Sequence, residues 1–172
     1  MGMNRFLLTL AALAFSAGIA AETSLAQPSP LLKVGEAKLR VLFWDVYFSR
    51  LYTETGGYRR GMRPLKLEIQ YLLDIKSEAL VERTRTEWDD QGLAHDNQEQ
   101  WLSAMGELWP DVSKNDLLVL EIDENNRSTF YHNGSRLGVI DDSSFGQHFV
   151  DIWLAPTTTR PDLRLALIGA DD

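Results

Sequence analysis

Alternation of apolar and polar side chains is clearest from Leu65 to Leu73. There Leu65, Leu67, Ile69, Tyr71 and Leu73 alternate with Lys66, Glu68 and Gln70. A period of two with one apolar face predicts a strand lying on a core, with its other face in water. The preceding run, Leu39 to Tyr52, is apolar on both faces, with Leu39, Val41, Phe43 and Tyr47 on one and Leu42, Trp44, Val46 and Phe48 on the other. It is rich in β-branched and aromatic residues, and it predicts one bent strand or two, covered on both sides. The period then becomes helical. Leu80, Thr84 and Trp88 recur every fourth residue between Ser77 and Gln91, and Gly92 stands where a helix stops. A second helix follows Asn97, which with Gln100 resembles a capping box. Its stripe is Trp101, Leu102, Met105, Leu108 and Trp109, ended by Pro110.

Three short strands are expected at Asp116–Asp123, Ser128–His132 and Arg136–Ile140, with a turn at Asn125-Asn126. Asn133-Gly134 is a strong hairpin signal, because a type I′ turn needs positive φ at both central residues. Asp141 or Asp142 then caps a helix with Phe145, Phe149, Ile152 and Trp153 on one face, and Pro156 stops it. Thr159–Ile168 closes the chain as a short helix with Pro161 early and Gly169 after its end. Strands, two helices, strands and two helices, joined by antiparallel hairpins, make an α+β fold.

The N-terminus carries a different signal. Arg5 precedes the apolar run Phe6–Phe15, and small residues follow to Ala21, the order of a secretory signal peptide. The run is shorter than the ~20 residues a spanning helix needs. Cleavage is expected after Ala26, with Ala20 as the alternative, so the chain divides into a signal peptide (1–26), a Pro-containing lead-in (27–33) and one domain (34–169). An exported, periplasmic protein without a membrane span after cleavage is the expectation. About 145 residues then remain, enough to bury about two-thirds of the unfolded surface in one core. No cysteine is present, so packing rather than disulfides must hold that core. The net charge of −8 argues against nucleic acid, whose phosphates it would repel.

Candidate chemistry is sparse. His95, His132 and His148 lack the spacing of a metal site, no serine lies in a nucleophile elbow, and no glycine-rich loop suits a phosphate. Neither a metal nor a cofactor is expected. Asp89-Asp90 and Asp141-Asp142 read as solvated charge, and both Asn-x-Ser patterns, at Asn126 and Asn133, read as turns. The less ordinary group is Asp45, inside the most apolar run and flanked by Arg40 and Arg50. A buried carboxylate needs a partner, so it predicts either a buried ion pair or a polar group facing an apolar cleft. Five tryptophans supply a wide apolar layer that can pack as core or line such a cleft.

Several segments together resemble bacterial chalcone isomerase-like proteins. They are Val34-Gly35-Glu36-Ala37 leading into Leu42–Tyr47, then Leu67–Tyr71, Trp109–Val112, Phe130–Gly134 and Ile152–Pro156. The resemblance runs from Val34 to Gly169 and implies an open-faced β-sandwich: a large antiparallel sheet, helices on one face and a ligand cleft between. In plant enzymes of that family the cleft cyclises a chalcone, and in non-catalytic relatives it holds a fatty acid. In both, an arginine ahead of the Val-Tyr strand meets the anionic part of the ligand. Tyr47 matches the tyrosine of that strand, whereas Lys38 and Arg40 are the cations available ahead of it. Val41, Leu42 and Phe43 replace the hydroxyl-bearing residues of the enzymes and the fatty-acid binders. The resemblance therefore implies a fold kept without isomerase activity, binding a small hydrophobic ligand such as a fatty acid, with Arg40, Trp44, Asp45 and Tyr47 as candidate ligand-binding residues. An intramolecular lyase and an envelope interaction protein are the competing expectations. The protein partner is left unspecified.

Overall fold

The computed structural model describes residues 30–170; the signal-peptide region and its cleavage site lie outside the described residues. Six strands form one antiparallel sheet in sequence order: β1 (Leu32–Val41), β2 (Trp44–Thr53), β3 (Leu65–Tyr71), β4 (Leu117–Ile122), β5 (Ser128–His132) and β6 (Ser135–Ile140). Helices α1 (Ser77–Asp90) and α2 (Gln98–Leu108) fill the β3–β4 connection, and α3 (Phe145–Leu154) and α4 (Pro161–Leu167) follow β6. The architecture is the α+β arrangement expected.

Register decides which face is covered. Ser49 pairs with Ile69 and Ile69 with Leu118; Leu51 pairs with Leu67, Leu67 with Leu120, and Leu120 with Phe130. These side chains share a face with Leu65, Tyr71 and Ile122, all buried. On the opposite face Arg50 lies between Glu36 and Glu68, with Lys66 over the Tyr52 ring at 4.2 Å and Lys38 over Phe48 at 4.7 Å. That face is an open surface of charges laid over aromatic rings. β1 carries a bulge between Lys33 and Gly35 and receives α4, where a Cβ on Gly35 would lie 2.1 Å from the Ala166 carbonyl oxygen. Only glycine allows that approach.

The long apolar run differs from the expectation of a strand covered on both sides. It is a hairpin: Val41 pairs with Trp44, and Leu42-Phe43 is a two-residue turn. Helices cover one face of the sheet, so the run outlasts its cover, and Leu42, Phe43 and Trp44 are 83, 94 and 66 % exposed. β1 also starts earlier than the apolar pattern suggests. Its buried side chain there is Ala37, which with Gly35 gives little hydrophobic signal.

The turns and caps repay comparison with their sequence signals. Asn133 and Gly134 both take positive φ, 49° and 82°, as the hairpin signal requires. Asn126 and Gly92 are likewise left-handed. The capping box at Asn97 does not form. Its side-chain amide instead donates to Asp142 Oδ2 at 2.8 Å, beside the Trp101 indole N–H at 3.0 Å. Asp142 also accepts from the Ser144 N–H at 2.9 Å, so it ties the starts of α2 and α3 together. Among the described residues no helix is long and apolar enough to cross a membrane.

Candidate functional site

Between β1–β4 and helices α1 and α3 lies a cavity of about 380 Å³, within the ~300–1,000 Å³ usual for small-molecule sites. Its walls come from alternate strand positions and from one stripe of each helix. Leu39, Val46, Ile69 and Leu118 form the floor, while Leu80, Ile152 and Phe149 form the roof, with Ile75 and Trp109 between them. Polar groups gather at Tyr47, Tyr71, Arg83, Thr84, Glu87 and Arg160. The cleft is thus amphipathic, with a mostly apolar lining and few charges.

Tyr47 organises the polar part. Its hydroxyl accepts from the Trp153 indole N–H at 2.8 Å, which joins β2 to α3. Burial pushes its phenol up to about 12, against the opposing pull of the Trp153 hydrogen bond. Tyr71 packs edge-on to it at 6.3 Å, and burial, reinforced by Tyr47, raises its phenol as well. At neutral pH both phenols are therefore protonated. They can donate hydrogen bonds to a ligand, but they are not bases.

The charges come from α1 and from the segment before α4. Arg83 pairs with Glu87 one helical turn on, and Glu87 also accepts from the Thr159 hydroxyl at 2.9 Å. Arg160 is half-buried in the cleft wall, and among the described residues it forms no salt bridge. A guanidinium with no salt bridge among the described residues, beside the neutral Tyr47 phenol and with Glu87 held by Arg83 and Thr159, suits an anionic head group. Among the described residues no three metal-ligating side chains cluster.

Of the four candidate ligand-binding residues, Tyr47 lines the cleft; Arg40, Trp44 and Asp45 are not among its lining residues. Asp45 is not a buried carboxylate: it is about one-third exposed at the hairpin end, where Arg40 donates at 2.8 Å and Lys38 at 2.9 Å. Those two hydrogen bonds, Arg40 first, hold Asp45 below its ordinary value. The expected pairing with an arginine is present, but the turn at Leu42-Phe43 carries it to the surface. Sequence reasoning missed Arg83, Glu87 and Arg160. The first two look like an ordinary i,i+4 surface pair. Arg160 sits next to a proline with no pattern around it, and no sequence signal marks it.

The chain is 32 % identical over 136 residues to an uncharacterized protein of Haemophilus influenzae, covering 79 % of this chain and 67 % of that one. It shares its fold with the crystal structure of an Arabidopsis thaliana fatty-acid binding protein, at a TM-score of 0.55 and 17 % identity, over 83 % of this chain and 90 % of the other. The sequence profile described as chalcone isomerase-like matches residues 17–169. The chain belongs to the chalcone isomerase-like family.

Proposed function

We propose that this chain is a non-catalytic ligand-binding member of its family, which holds a fatty acid or a comparable amphipathic anion between sheet and helices. The observation that carries the proposal is the cleft itself: a mostly apolar lining that includes Arg160, which forms no salt bridge among the described residues. The fold shared with a fatty-acid binding protein supports it. Each buried methylene contributes roughly 0.8 kcal/mol, so the apolar wall supplies most of the affinity and Arg160 the selectivity for a charged head. Tyr47 and Tyr71, held protonated, add donors and no proton acceptor at neutral pH. From the N-terminal pattern we also propose export to the periplasm, with the domain acting there after cleavage.

Native mass spectrometry and solvent extraction of the purified protein test the binding reading, with Ala79→Trp as the matched control. Ala79 is exposed at the cleft wall, so an indole there occupies the space without removing a core side chain. Co-purified or added long-chain fatty acid on the parent, at least 10-fold weaker on Ala79→Trp, is expected. No bound lipid together with no fatty-acid affinity overturns the reading. Chalcone cyclisation above the spontaneous rate, lost on replacing Tyr47, would replace it with an intramolecular lyase. N-terminal sequencing of periplasmic material tests export, with Gln27 as the expected first residue.

A further inference from the structure

We infer that the β1–β2 hairpin tip is a membrane-docking element, which seats Leu42, Phe43 and Trp44 in the surface of a lipid bilayer. Exposed large apolar side chains elsewhere among the described residues are isolated, at Leu32 and Leu165. Here four are consecutive, from Val41 to Trp44, and Phe43 at 94 % exposure touches almost nothing of its own chain. Scattered exposed apolar residues need no explanation, whereas a contiguous group of them does.

The backbone supplies an independent observation. Leu42 has φ 54°, a left-handed conformation that a bulky side chain rarely takes. Every other positive φ in the described chain falls on glycine or asparagine: Asn115, Asn126, Asn133, Gly56, Gly61, Gly92, Gly134 and Gly169. Glycine or asparagine at position 42 would suit both the turn and water better than leucine does. Leucine there is costly to the free protein and becomes favourable only when the side chain leaves water.

Size and polarity select a bilayer over a protein partner. The two-residue turn and the Trp44 beside it offer three large side chains, roughly 500 Å² of surface. That is short of the ~800 Å² that each partner contributes to a standard-size protein interface. A bilayer needs no shape complement. The side chains also follow the depth order of a membrane interface: Leu42 and Phe43 at the tip, the amphipathic Trp44 one step back, and the cations Lys38 and Arg40 behind it, joined to Asp45. The overall charge of −8 excludes bulk attraction to anionic lipid, so insertion rather than charge must supply the binding. Leu39, Val41 and Val46, on the same two strands, also line the cleft. On the proposed function, docking by the tip therefore brings the cleft wall to the bilayer, where a fatty acid is available.

Flotation with phosphatidylcholine vesicles tests the inference on protein purified from an exporting host, comparing the parent with Leu42→Asn/Phe43→Ser. Both proteins share one N-terminus, so their difference reports the tip alone. The parent is expected to float at least 10-fold more strongly than the double variant, with little change between 50 and 500 mM salt. Phosphatidylcholine brominated on its acyl chains should quench a component of the fluorescence that is missing in Trp44→Phe. Leu42→Asn alone should leave the melting temperature unchanged or raised, which shows that the variants fold. No flotation of the parent, or equal flotation of parent and double variant, overturns the inference. So does concentration-dependent dimerisation abolished by the double variant in the absence of vesicle binding, since that assigns the tip to a second copy. Docking and cleft occupancy separate cleanly: a parent that floats yet has no fatty-acid affinity keeps the former and loses the latter.

Discussion

Between sheet and helices the molecule is packed solid at one end and hollow at the other, although both ends are built from the same two layers. Under β4–β6, Trp101, Phe145, Phe130, Phe149 and Trp109 interlock ring to ring, with centroids 5.4–6.0 Å apart. Trp88 extends the cluster by its edge-on contact with Trp101. Around the cavity smaller side chains face one another, Leu39, Val46, Ile69 and Leu118 against Ala79, Leu80 and Ile152, while Trp109 and Phe149 belong to both the ring cluster and the cavity wall. Interlocked rings close one half; the aliphatic side chains facing one another in the other leave about 380 Å³. Stability and binding are thereby assigned to different ends of a single layer.

Truncation should expose that division most strongly. Phe145→Ala removes a fully buried ring that touches three others, and it is expected to cost about 3–5 kcal/mol by denaturant titration. Val46→Ala, in the hollow half, should cost about 1 kcal/mol or less, because its methyl groups already border open space. Equal costs would remove the contrast. Gly35→Ala comes next. It forces a methyl group against the backbone of α4 and should cost roughly 1–3 kcal/mol, with amide exchange in α4 accelerating first. Arg160→Leu should leave the melting temperature nearly unchanged while weakening fatty-acid binding about 10-fold, the effect of one charge-assisted hydrogen bond of ~1.5 kcal/mol. A fatty alcohol of the same length should bind parent and variant alike, which calorimetry can check.

The smallest effect concerns pH and belongs to the filled half. His148 lies among Trp88, Trp101 and His95, with Gln98 within 2.8 Å of its Nε2, and burial lowers its pKa, aided by the His95 charge. Asp151 on the same helix pulls the other way. A histidine whose folded value lies below its unfolded one favours folding while neutral. That contribution is present above the unfolded value of about 6.5 and is lost as pH falls below it. Thermal melts across this range should fall less steeply for His148→Gln than for the parent. Cleft affinity should show no break attributable to Tyr47, whose phenol stays protonated to about 12.

Much of this was legible in the chain. Period-two alternation in Leu65–Tyr71, the stripes of α1 and α2, and Asn133-Gly134 each concern residues within one turn or one strand of each other, so local physics defines them. The tryptophans were legible as an apolar layer, but whether they fill a core or line a cleft depends on which of them face one another. Of the polar part of the cleft only Tyr47 was legible, through the family resemblance. Arg83 and Arg160 lie far apart in sequence, and neither departs from an ordinary surface pattern until α1 and the segment before α4 meet over Tyr47.

Asp45 shows the boundary most sharply. An arginine was one of the partners its carboxylate was expected to meet, and Arg40 is there, but the burial that made a partner necessary is not. Where it ended up was decided by a reversal of the backbone at Leu42-Phe43, which no hydrophobic pattern announces since both residues are apolar. By itself, then, the sequence determined most of the elements, the Asn133-Gly134 turn, the covered face of β3 and the family. Tertiary structure decided which end of the layer is hollow, which arginine faces the hollow, and that three apolar side chains face water. Hydrophobic pattern records whether a residue is suited to burial, and only the packing of distant segments determines how much cover there is to bury it.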